Sequence, residues 1–172
     1  MRTSLCVFLL AGMAVTGCRL QPAATDQPQP LTSTRAAQVE NGVRVFMQAV
    51  AHDVTQEGPM AWRKYFADSP AFFMAVDGRM VFADSAAASK GIHDAALDIK
   101  HIELVWNGDL RIDPLTPELA VVATPWHEVQ VNAEGKRVDE DGFFTGVAEY
   151  RDGRWQFRNA HWSLIAPPPA AR

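Results

Sequence analysis

Gly142-Phe143-Phe144-Thr145-Gly146-Val147-Ala148-Glu149-Tyr150-Arg151-Asp152-Gly153-Arg154-Trp155-Gln156-Phe157-Arg158-Asn159-Ala160-His161-Trp162-Ser163 reads as two long strands joined at Asp152-Gly153. Both turn residues tolerate positive φ, the backbone that a two-residue hairpin requires. With the turn there, Tyr150 opposes Trp155, Ala148 opposes Phe157, Gly146 opposes Asn159 and Phe144 opposes His161. Side chains alternate along a strand, so these residues share one face. Glu149, Gln156 and Arg158 lie on the other face with Val147 and Trp162. The inner face then runs from large apolar groups at Trp155 to polar ones at Asn159, His161 and Ser163. An apolar floor with a few convergent polar groups is the profile of a small-molecule pocket.

Upstream, strands continue as Leu119 to Val131, with a turn near Ala133-Glu134-Gly135, and as Ile99 to Ile112, bent at Asn107-Gly108. Before them the period changes. Ser85 to Ile92 suits a short helix. Ala71 to Val76 and Arg79 to Ala83 flank the hairpin turn Asp77-Gly78. A helix starting at Gly58-Pro59 would carry Met60, Trp62, Tyr65 and Phe66, proline being tolerated in a first turn. Val39, Val43, Phe46, Met47 and Val50 recur at helical spacing and predict a first helix over Ser33 to His52. Helices first and strands last argue an α+β domain with helices on one face of an antiparallel sheet.

The N-terminus is of another kind. Met1-Arg2 precedes an apolar run over Leu5 to Ala14, too short to span a bilayer, and the run ends in Val15-Thr16-Gly17-Cys18. Those four residues resemble the lipobox of bacterial lipoproteins, which implies a signal peptide over 1–17 and lipid on Cys18. Arg19, where an aspartate would signal inner-membrane retention, favours the periplasmic side of the outer membrane. Pro22, Pro28 and Pro30 make 18–32 an extended tether reaching about 40 Å at ~3 Å per residue. The domain then occupies 33–166, and Pro167-Pro168-Pro169 opens a disordered tail over 167–172. Cys6 leaves with the signal and Cys18 carries lipid, so packing alone holds the domain. Loss of Arg2 with the signal takes the net charge from −4 to −5. With no basic cluster, nucleic acid is excluded as a partner.

The order of elements, with Gly142-Phe143-Phe144-Thr145, Asp152-Gly153-Arg154-Trp155-Gln156-Phe157 and His161-Trp162-Ser163, resembles the SnoaL-like (DUF4440-type) branch of the nuclear transport factor 2 superfamily. The resemblance spans nearly the whole domain. It implies a cone: a strongly curved antiparallel sheet packed on about three N-terminal helices, with a pocket at the open end. Proteins of this superfamily include isomerases, cyclases, dehydratases, association domains and noncatalytic binders, so fold alone does not name the activity. The isomerases set a tyrosine and two acids in an apolar pocket. Neither Tyr65 nor Tyr150 falls into such a set here.

His161 is the first candidate for chemistry, as acid, base or hydrogen-bond anchor. It equally suits a half-buried sheet position that donates to a backbone carbonyl or to Ser163. His127 joins it on one face if the preceding hairpin has no bulge, and Glu128 then points the other way; one bulge reverses this. The pocket residues so expected are Trp62, Tyr65, Phe73, Trp106, His127, Phe144, Trp155, Phe157, Asn159 and Ser163, with Trp126 as a further wall aromatic. Each aromatic also suits ordinary core. Asp139-Glu140-Asp141 reads as a solvated loop. No metal-ligand spacing, nucleotide loop or serine-nucleophile motif occurs, so neither metal nor cofactor is implied. Three readings follow. The first is a lipid-anchored, periplasm-facing domain binding a small, mostly apolar ligand. The second is a proton-transfer enzyme using His161 with Asn159 or His127. The third is a homodimer through the outer sheet face, for which Trp162 and Val147 would supply the apolar patch.

Overall fold

The computed structural model describes residues 31–165. The signal segment, Cys18, most of the tether and the tail lie outside the described residues.

Helix α1 spans Ser33–Glu57. The Thr32 hydroxyl caps it by accepting from the Arg35 amide at 3.3 Å. It runs past His52 because Val54 continues the buried stripe of Val39, Val43, Phe46, Met47 and Val50. Gly58, at φ +79°, then ends it. Each fully buried aliphatic side chain on that stripe stabilises the fold by about 1.5–3 kcal/mol. The next segment is a short 3₁₀ helix, Pro59–Lys64, where an α-helix was expected. It stops because the backbone beyond it docks on the last strand. The Phe157 amide donates to the Tyr65 carbonyl at 2.7 Å, and the Ala67 amide donates to the Phe157 carbonyl at 2.9 Å.

Strands β1 (Phe73–Val76) and β2 (Arg79–Phe82) form a hairpin, followed by α2 (Ser85–Asp98), capped by Asp84. Five more strands complete the fold: β3 (Ile99–Trp106), β4 (Arg111–Thr116), β5 (Leu119–Asn132), β6 (Arg137–Arg151) and β7 (Arg154–Leu164). The bend at Asn107-Gly108 divides the expected Ile99–Ile112 strand, and its halves pair with opposite ends of β5. All seven strands make one curved, unclosed sheet in the order β2-β1-β7-β6-β5-β3, with β4 on β5. The α+β architecture, helices packed on a curved sheet, is as expected. The sheet is mixed, however: β1 runs parallel to β7, from Phe73 beside Asn159 to Val76 beside Trp162. The chain has already docked parallel to β7 at Phe66, opposite Phe157, and keeps that direction into β1.

A second correction matters more for the site. Ala148 pairs with Phe157 but Val147 pairs with Asn159, so Arg158 has no partner and β7 carries a bulge. Beyond it Gly146 faces Ala160, Thr145 faces His161 and Phe144 faces Trp162. Ala160 and Trp162 therefore turn into the core while Asn159 and His161 turn outward. The bulge keeps Phe157, Ala160 and Trp162 on one buried face, which strict alternation would not.

Candidate functional site

A cavity of about 280 Å³ opens between α2, the β1–β2 hairpin and the far ends of β5, β6 and β7. Ile92 and Ala95 of α2 form one wall, and Met74, Val76 and Phe82 of the hairpin form another. Pro59 and Trp62 of the 3₁₀ helix close a third side with Phe66. Trp126 and Trp162 make the floor. Trp162 is the centre of an aromatic cluster: Trp62 meets it edge-on at 5.6 Å, Trp126 at 5.2 Å, and Trp106 stacks behind it at 5.7 Å. Trp126 lies across Gly142, where an added Cβ would sit 2.4 Å from the indole and 2.1 Å from the Ser163 carbonyl oxygen. Only glycine lets the indole lie flat there. The indole N–H of Trp126 is buried and has no hydrogen-bond partner.

The polar end of the cavity comes from β5 and β6. Ala120, Val122, Thr124 and Trp126 face inward, and the same phase carries Glu128 and Gln130 into the cavity wall. Glu140 of β6 pairs directly with Glu128 and lines the same wall. The Gln130 amide donates to the Glu128 carboxylate. Burial pushes the Glu128 carboxyl above its ordinary value of 4.5, the charge on Glu140 adds to this, and the Gln130 bond opposes it. Among the described residues neither glutamate forms an ion pair, and no lysine, arginine or histidine lines the cavity. No three His, Cys, Asp or Glu side chains among the described residues converge as metal ligands.

Of the residues expected here, the structure brings Trp62 and Ser163 to the cavity, and Trp126 with them. Ser163 sits at the rim, its hydroxyl donating to the Phe143 carbonyl at 3.2 Å. Trp106 and Phe144 lie one layer behind, packed on Trp162. Phe157 is core, between Phe46 at 4.8 Å and Phe144 at 5.1 Å. Tyr65 donates to Asp53 at 2.6 Å, away from the cavity. Trp155 packs on Tyr150 and over Gly42 of α1, and Phe73 is exposed. Asn159 turns away from the cavity and accepts from the Val147 amide at 3.2 Å. His161 is exposed beside Thr145. His127 lies on the outer face, against Asp141 at 3.0 Å and Asp139 at 3.5 Å.

Glu128, Gln130, Glu140 and the inward turn of Trp162 were missed. Ala120, Val122, Thr124 and Trp126 share a phase with the first two, but Val121, Ala123, Pro125 and Val129 in the other phase are as apolar, so the pattern did not mark that face as inner. Asp139-Glu140-Asp141 is strand, not loop, with only its middle residue on the cavity side.

No protein-family model matches the chain, and no curated protein matches it. Solved structures do. A nuclear transport factor 2-like superfamily protein from Salmonella enterica serovar Typhimurium is 15% identical, with 81% of this chain and 97% of that one covered, at a TM-score of 0.62. A candidate scytalone dehydratase from Novosphingobium aromaticivorans is 13% identical, with 77% and 89% covered, at 0.66. A hexachlorocyclohexane dehydrochlorinase from Novosphingobium barchaimii is 11% identical, with 80% and 100% covered, at 0.61. Identities this low speak for the fold, and they agree on it: helices on a curved sheet around a cavity, the nuclear transport factor 2-like fold.

Proposed function

We propose that this chain is an exported lipoprotein, anchored through Cys18 on the periplasmic side of the outer membrane, whose domain binds a small, mostly apolar molecule. One observation carries the binding role: an aromatic and aliphatic cavity of about 280 Å³ with its polar groups gathered at one end. Native mass spectrometry of the full chain, released gently from envelope membranes, tests this. A small bound mass is expected, and Ala95→Phe on the α2 wall should remove it while unfolding stays cooperative. A bound mass that survives Ala95→Phe would place the ligand elsewhere and overturn the reading.

The second reading is proton transfer, and the Glu128–Glu140 pair favours it. Two of the similar structures are named for loss of water and of hydrogen chloride. A carboxylate in apolar surroundings suits removal of a proton from carbon. Glu128 takes this part in place of the exposed His161. On a substrate that turns over, the rate should rise with pH through a value above 4.5, and Glu128→Gln should lower kcat by roughly 10²–10⁴-fold. An unchanged profile in Glu128→Gln would remove it. The dimer reading keeps Val147 on the outer face but loses Trp162 from its apolar patch, since that indole packs inside.

A further inference from the structure

We infer that the cavity selects a small apolar amine in its cationic form, with the ammonium between Glu128 and Glu140 and the apolar body against Trp62, Trp126 and Trp162. This rests on the reading of the cavity as a ligand site and names the class of molecule it takes.

Charge is the first argument. Both ionisable side chains of the wall are acidic, and they occupy directly paired positions of adjacent strands. Like charges placed so disfavour each other, and a fold without a use for them has many cheaper choices at those two positions. Neither carboxylate has a cationic partner among the described residues, although the domain makes ion pairs freely elsewhere. Gln130 supplies one hydrogen bond to Glu128 and no charge. A bound cation would meet both carboxylates and remove the mutual repulsion together with part of the burial penalty on Glu128.

The walls are the second argument. Three indoles line one small cavity, and their large apolar faces suit the uncharged body of a ligand rather than its charged end. Aliphatic side chains from α2 and the hairpin complete the enclosure, so a hydrophilic polyamine would leave its charges unmatched. An apolar body with one cationic end matches both ends of the cavity. A carboxylic acid of the same shape would bring a third negative charge against two.

The test uses the full chain in lipid nanodiscs, with empty nanodiscs as the blank and tryptophan emission as the readout. The probes are phenylpropylamine, phenylpropanol and phenylpropanoate, alike in shape and different in charge. The amine should bind at least tenfold more tightly than the alcohol, with the carboxylate weakest. Glu128→Gln with Glu140→Gln should abolish the advantage of the amine over the alcohol. Glu140→Gln alone should reduce it, which keeps the test open if the double variant does not fold. An alcohol that binds as well as the amine, or a preference that survives both substitutions, overturns the inference and leaves the cavity reading intact. No response to any of the three overturns both.

Discussion

At the scale of single residues, the site depends on a glycine that no turn requires. Gly142 pairs with Trp126 across β5 and β6, and the indole occupies the space that any side chain would take. Gly142→Ala must either part β6 from β7, because of the Ser163 carbonyl 2.1 Å away, or push Trp126 into the cavity. Overpacking of this kind costs about 1–3 kcal/mol. Gly153 is the opposite case: its φ of +79° sets the hairpin turn, and nothing lies within 4 Å of a Cβ there. Gly153→Ala should cost only the backbone strain, about 1–2 kcal/mol, and leave ligand binding untouched. Urea midpoints with tryptophan emission separate the two. Gly142→Ala should disturb both stability and the emission of the folded state, Gly153→Ala the first alone. Identical folded-state spectra for the two variants would show that Trp126 does not rest on Gly142.

At the scale of elements, local periodicity decided what the chain revealed about itself. The stripe from Val39 to Val50 and the alternation in β5 to β7 are properties of one segment each, so the order of helices and strands was legible. The parallel seam between β1 and β7 joins segments far apart in sequence, and no local pattern encodes which edge a short hairpin will choose. The bulge at Arg158 lies between these cases. Its signature was in the sequence, as the apolar positions Trp155 and Phe157 give way to Ala160 and Trp162, a step of three in a period of two. Strict alternation overlooked that step and so placed Asn159 and His161 inside. One unpaired residue thus turned the histidine of β7 out of the cavity. Glu128 stayed hidden for a physical reason as well: a charge on the inner face contradicts the pattern that identifies inner faces, and function is where such contradictions are kept.

At the scale of the whole molecule, stability against pH is shaped by two carboxyls displaced in opposite directions. Asp53 is held well below its ordinary value of 3.8, first by the Tyr65 hydroxyl, then by His52 and Lys64. Its contribution is complete above that value and is lost only as pH falls through the lowered one, in strong acid. Glu128 is raised instead. In the window above its folded value the native state holds a carboxylate that the unfolded chain would hold more easily, and this costs stability. Below 4.5 the group is protonated in both states and the cost vanishes. Glu128→Gln keeps the shape and removes the charge, so the variant should be more stable than the parent at pH 7. The difference should shrink as pH falls and close below 4.5, while Asp53 continues to act equally on both proteins. Urea midpoints at pH 7 and pH 4 measure this directly. A variant less stable at pH 7 would mean that the fold itself satisfies the Glu128 carboxylate. The cation-binding inference would then lose its uncompensated charge, and the proton-transfer reading its displaced carboxyl. A gain at pH 7 would identify Glu128 as a group retained against stability, which is the expected mark of a residue kept for what the cavity binds.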